Sequence, residues 1–192
     1  MRASDDQYQR DFDKHDLAIW MIEHGARTRT VNAWTGLTRY RVQALSRRYD
    51  TRAGDHRRRG ISPFQSAYFA RSLTLEAESL AFALIALRLK VIPPTKIPEA
   101  RRVLPDVARG ARLMFAYEIY RALVPQGHIS LERAILFVIE LAARRHLTLR
   151  RCKTCPNVMV ADRLGVRHEQ CPLCRSRRRT HTAATEKGLA PP

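Results

Sequence analysis

Cys152-Lys153-Thr154-Cys155 and, after fifteen intervening residues, Cys171-Pro172-Leu173-Cys174 contain every cysteine of the chain. Two Cys-x-x-Cys knuckles at this separation have the spacing of a structural zinc site. Each short turn aims two thiolates at one point, and two such turns close a tetrahedron around Zn²⁺ with bonds of about 2.3 Å. Disulfides are the competing reading. They do not suit a cysteine-poor chain that opens on the polar Met1-Arg2-Ala3-Ser4-Asp5-Asp6 without an apolar export segment. One Zn²⁺ per chain is therefore expected, held by Cys152, Cys155, Cys171 and Cys174. A four-thiolate site is coordinatively closed, so the metal is expected to hold shape and not to catalyse.

Working outward, 192 residues suffice for one helical body plus a small metal-stapled module. The net charge is +17, from 35 lysines and arginines, mostly arginine, against 18 acids. Such a field attracts polyanions, and forked arginine side chains suit phosphates and guanine edges, so nucleic acid is the first partner to consider. No stretch approaches about 18 uninterrupted apolar residues, so no membrane span is expected and the chain reads as cytoplasmic.

Helical periodicity organises the rest. Leu17, Trp20 and Met21 form a first helix after a polar lead of about a dozen residues, ending at Gly25. Val31, Ala33 and Trp34 form a short second helix. Thr38 caps a third, from Arg39 to about Tyr49, with Val42 and Leu45 facing inward. Residues 51–63 read as a basic loop around Arg57, Arg58 and Arg59. A helical body follows over 64–147. Its first helix runs from Gln65 to Lys90 with Phe69, Leu73, Leu80, Leu84 and Leu87 on one face, and its second from Pro98 to Leu123, kinked or split at Pro105. Its third, Leu131 to His146, is capped by Ser130 and is apolar around most of its circumference, which places it centrally or against a partner. Leu147 to Arg151 and Val158 to Val160 suggest short ribbon strands. The expected fold is thus mainly α: an N-terminal helix-turn-helix-like domain over 1–50 and the helical body, then a small four-cysteine, zinc-ribbon-like module over 148–179 with its basic tail. Residues 180–192 form a flexible end.

The order Gly36, Leu37, Thr38, Val42, Leu45 fits a DNA-binding helix-turn-helix. A small residue turns the chain, an apolar one follows, and the capped recognition helix packs through positions five and eight residues further on. Asn32 departs from the pattern, standing where a small apolar side chain is usual. Arg39, Tyr40, Arg41, Gln43 and Arg47 would project outward, and the candidate DNA contacts are Arg39, Arg41, Gln43, Arg47, Arg57, Arg58, Arg59, Arg177, Arg178 and Arg179. An ordinary helical hairpin with a solvated arginine face is the bland alternative.

With both landmarks placed, the chain resembles the FlhC family, subunits of the master transcriptional activator of flagellar genes. The likeness is carried by Leu17-Ala18, Ile22, Gly25-Ala26-Arg27, Thr35-Gly36-Leu37, Arg41, Leu45, Gly60, Pro63-Phe64, the four cysteines, and Arg177-Arg178-Arg179. The resemblance implies a zinc protein that binds double-stranded promoter DNA jointly with an FlhD-like protein, in a heterohexamer of two FlhC-like and four FlhD-like chains, and recruits RNA polymerase. The stretch Asp162-Arg163-Leu164-Gly165-Val166-Arg167 between the cysteine pairs is more charged than the family leads one to expect.

Two rival readings explain some of the same features. A zinc-ribbon RNA- or ribosome-binding protein would also be basic, but such proteins stack bases on exposed aromatic rings, and the aromatic residues here fall mostly at positions expected to be buried. A zinc-linked nuclease would draw on Glu140 and Asp162 but lacks a histidine-metal cluster. His168 near Cys171 reads as a loop residue, and His146 as a cation at a helix end. No phosphate-cradling glycine loop or nucleophile elbow is present, so an enzyme is not expected.

Overall fold

A computed structural model describes residues 2–50, 65–69, 72–92, 105–163 and 169–177. The loop arginines Arg57, Arg58 and Arg59, the tail arginines Arg178 and Arg179, Gly60, Pro63, Phe64, Pro98, His168, residues 164–167 and the end from 180 lie outside the described residues. The described fold is mainly helical, with one two-stranded sheet and the four cysteines clustered near the C-terminal end.

Helix α1 spans Arg2–Glu23. It therefore includes the polar lead, which contains no glycine or proline. Pairs within the helix support this solvated half, Gln9 with Asp13 at 2.8 Å and Lys14 with Asp11 at 2.9 Å. The helix ends where expected. Gly25 sits at φ 88°, its N–H donates to the Ile22 carbonyl, and the Ala26 N–H donates to the Met21 carbonyl, a Schellman close that favours glycine. Helices α2 (Thr28–Thr35) and α3 (Arg39–Tyr49) follow, and α1, α2 and α3 pack on one another.

The body contains α4 (Ser66–Phe69), α5 (Leu73–Arg88), α6 (Val107–Leu123) and α7 (Leu131–Ala143). The single helix expected from Gln65 to Lys90 is divided, because Ser72 is extended and caps α5 by accepting from the Leu75 N–H. The buried face of α5 is also rotated from the expected one. Leu75, Ser79, Phe82 and Ala86 face the core together with Glu76 and Glu78, while Leu84 is exposed and Leu73, Leu80 and Leu87 are half-buried. Asp106, directly after Pro105, caps α6 by accepting from the Arg109 N–H at 2.8 Å. Helix α7 stops at Ala143, since Arg144 turns left-handed at φ 49°, and Ser130 occupies the N-cap position without a side-chain capping bond. Helix α7 occupies a central place: Leu131, Ala134, Ile135, Phe137, Val138 and Leu141 are all buried within the chain itself, with Leu136 and Ile139 half-buried.

The N-terminal helices and the body share one continuous core. It extends from Leu17, Met21, Trp34 and Val42 through Phe82, Leu113, Tyr120 and Phe137 to Leu147 and Val160 of the sheet. Gly110 of α6 allows the close approach: a Cβ there would lie 2.5 Å from Leu17 Cδ2 and 3.2 Å from Trp34 Cε3. Polar bonds reinforce the seam. Trp20 Nε1 donates to Glu118 at 2.6 Å. Glu132, in the first turn of α7, accepts from the Arg27 N–H at 2.5 Å and from the Thr30 hydroxyl at 3.1 Å. Arg27 provides no side-chain cap of its own, so Glu132 caps α2 from another helix.

Candidate metal centre and helix-turn-helix surface

Strand β1 (Leu147–Arg151) pairs antiparallel with β2 (Val158–Asp162), with Leu147 opposite Asp162 and Arg151 opposite Val158. The register carries the chain directly into the first knuckle, where the Cys152 N–H donates to the Asn157 carbonyl at 2.8 Å. The second knuckle begins a helical stretch over 172–177. The two are sewn together by Lys153 N–H to the Glu169 carbonyl at 2.9 Å, an ion pair between the Lys153 and Glu169 side chains, and Gln170 Nε2 to Thr154 Oγ1 at 3.1 Å.

Four ligand atoms result, all within 4.8 Å of one another. A tetrahedral site with bonds of about 2.3 Å has sulfur–sulfur edges of about 3.8 Å, and Cys155 Sγ lies 3.6 Å from Cys171 Sγ. The geometry therefore fits a metal held by thiolates, and among the described residues this is the one such cluster. Its electrostatics fit as well. Burial opposes ionisation of Cys152, but the N–H groups of Cys171, Thr154 and Cys155 outweigh it and bring that thiol down to about 6. The Cys155 sulfur and burial push Cys174 up to about 12. The Asn157 N–H favours the Cys155 thiolate, yet burial and the sulfurs of Cys171 and Cys152 leave that thiol raised. One thiolate forms readily and its neighbours resist, because like charges this close need a cation between them.

The sheet docks the module on the body through Leu147 and Val160 in the common core and through the Ser66 hydroxyl, which donates to Asp162 at 2.7 Å. Arg175, next to Cys174, forms an ion pair with Glu76 of α5. Sequence reasoning missed this pair and a second buried carboxylate. Glu78 accepts from the Tyr120 hydroxyl and the His128 N–H, both at 2.8 Å, and its other oxygen is 2.8 Å from His128 Nδ1. A glutamate inside an otherwise apolar helix was the signal available. Glu140, considered for nuclease chemistry, instead pairs with Arg145 and His146 at 2.9 Å each, and Asp162 is held by Ser66. His146, beyond the end of α7, has Nδ1 2.9 Å from the Glu140 carboxylate.

The second landmark is the turn between α2 and α3. Gly36 closes α2 at φ 71° and its N–H donates to the Asn32 carbonyl at 2.9 Å. The Asn32 side chain, anomalous in the sequence pattern, donates to the Leu37 carbonyl and so clasps the turn. Thr38 caps α3 by accepting from the Arg41 N–H at 3.4 Å. Val42 is fully buried and Leu45 half-buried against the core. Arg39, Arg41 and Arg47 are exposed; Gln43 lies on the flank of the helix and is half-buried. Tyr40 projects outward with 79% of its surface exposed. Arg177 is exposed at the end of the helical stretch that carries Cys174. Tyr8, Phe12 and Phe115 are also exposed, so the expectation that aromatic rings are mostly buried holds only in part.

No helix among the described residues is long and apolar enough to cross a membrane. No protein-family model matches the chain, and a search of curated proteins found no match.

Proposed function

We propose that this chain is a zinc-stabilised, DNA-binding subunit of a bacterial transcriptional activator of the FlhC type. It acts in the cytoplasm with an FlhD-like partner, two chains with four, on double-stranded promoter DNA, and recruits RNA polymerase. The observation that carries the reading is the α2–turn–α3 unit, in which a left-handed Gly36, the Asn32 clasp and the Thr38 cap fix a helix that buries Val42 and exposes Arg39, Arg41 and Arg47. That is the arrangement a recognition helix needs to reach base edges and phosphates. The +17 charge supports the same partner. Zinc is the metal proposed for the four thiols, because a closed tetrahedral thiolate site suits its lack of geometric preference.

The exposed Tyr40 ring favours RNA as a second reading, since it offers a stacking surface beside the arginines. Titrating duplex promoter DNA and single-stranded RNA of equal length at matched salt, with and without the partner, separates the two. The DNA reading expects tight, partner-dependent duplex binding with a steep decline as salt rises. Arg39→Ala, Arg41→Ala or Arg47→Ala should weaken duplex binding by about 1–3 kcal/mol without loss of fold. Preference for RNA, or indifference to the arginine changes, overturns it.

A further inference from the structure

We infer that Glu76, inside the helical body and 99 residues before it pairs with Arg175, is a positioning residue of the metal centre. The two knuckles are anchored differently. The first is the continuation of β1, whose register against β2 and whose Leu147 in the common core fix its place. The second is not the direct continuation of either described strand. Its bonds through Glu169, Gln170 and the Cys171 N–H, which donates to Cys152 Sγ at 3.2 Å, all lead back to the first knuckle. It is tied to the body by the Arg175–Glu76 ion pair, with side chains only 17% and 5% exposed. Arg175 also belongs to the knuckle's own backbone geometry, since its N–H donates to the Cys171 carbonyl at 3.1 Å. Fixing its guanidinium therefore fixes the turn that aims Cys171 and Cys174.

The partnership has consequences in both directions. A buried ion pair holds its groups tightly because neither has water to fall back on, and removing one partner is far more disruptive than removing both. Groups that orient metal ligands from behind typically change metal affinity by about 10–100-fold when altered. Linkage is reciprocal: if α5 helps to place two thiolates, bound metal must in turn stabilise the docking of α5 on the module. The inference rests on the metal reading of the four cysteines and deepens it, since it makes affinity a property of the whole fold and not of the knuckles alone.

The test uses the full chain and Zn²⁺ itself, with affinity read by competition against a chromophoric chelator and fold read by far-ultraviolet circular dichroism. Glu76→Leu should lower zinc affinity about 10–100-fold, and Arg175→Lys, which keeps a cation in the same place, should lose less. The double variant Glu76→Leu/Arg175→Met replaces the pair by apolar groups and should recover most of the loss; should the single variant fail to fold, recovery of folding and zinc affinity in the double variant is the supporting result. Wild-type affinity in Glu76→Leu, or a double variant as weak as the single one, overturns the inference. A wild-type chain that takes up no zinc defeats the metal reading itself, which is a separate outcome.

Discussion

At the scale of single residues, Cys152, Cys155 and Cys174 titrate unequally, and this sets how the four-cysteine cluster is expected to respond to pH. Cys152 is lowered to about 6, whereas Cys174 is raised to about 12 and Cys155 lies above its ordinary value. At pH 7 Cys152 is therefore largely ionised before metal arrives, while Cys155 and Cys174 still hold protons that the metal must displace. Zinc binding should release about two protons or more at that pH, and affinity should rise with pH. Calorimetry in buffers of differing ionisation enthalpy measures the release; none at pH 7 would show that the thiols are already ionised. Gly36 is a second residue with a definite job. No atom lies within 4 Å of where its Cβ would be, so space is not the constraint, but φ 71° is. Gly36→Ala should destabilise the fold by about 1–2 kcal/mol in denaturant unfolding, and Gly36→Asn by less. Both features were readable in the sequence, as the spacing of Cys152 to Cys174 and as the small residue of the turn. Asn32 was not, because its merit depends on the Leu37 carbonyl standing opposite it.

At the scale of elements, the helices form where apolar periodicity and caps put them, yet what each buries depends on its neighbours. Helix α2 shows this at its start, where Arg27 provides no cap and Glu132 of α7 supplies one from 105 residues away. Glu132→Ala should cost about 0.5–2 kcal/mol of stability, as loss of a local N-cap does; melting temperatures unchanged by the substitution would mean that water replaces the carboxylate. Helix α3 divides its residues by consequence. Val42→Ala opens a cavity under the turn and should destabilise the chain by about 2 kcal/mol, a loss visible in unfolding without any nucleic acid present. Stability equal to the parent would mean that α3 is not anchored through Val42. Helix α5 could not be oriented from its sequence. A leucine-weighted stripe selects Leu73, Leu80, Leu84 and Leu87, but Glu76 and Glu78 face inward because Arg175, Tyr120 and His128 meet them there.

At the scale of the whole molecule, the four cysteines cluster with Met159 apart from the main core, and the sheet joins the two, so the module is expected to unfold together with the body. Leu147 and Val160 lie in the same cluster as Leu17 and Phe137, and Arg175 pairs with Glu76. Removing the metal should lower the melting temperature of the entire helical signal in one transition; a helical transition unmoved by chelation would show the module to be independent. The sequence by itself determined the four-cysteine cluster, the turn between α2 and α3, the mainly helical class and the ribbon strands. Each of these is set by residues close in the chain: Cys-x-x-Cys spacing, a glycine before a capping threonine, apolar periods, alternation beside the knuckles. Tertiary structure alone decided that α7 lies at the centre, that the N-terminal helices and the body have a common core, and that three buried glutamates, Glu76, Glu78 and Glu140, are tolerated. The reason is that burial of a charge depends on a partner, and those partners are brought by folding from positions between 5 and 99 residues away.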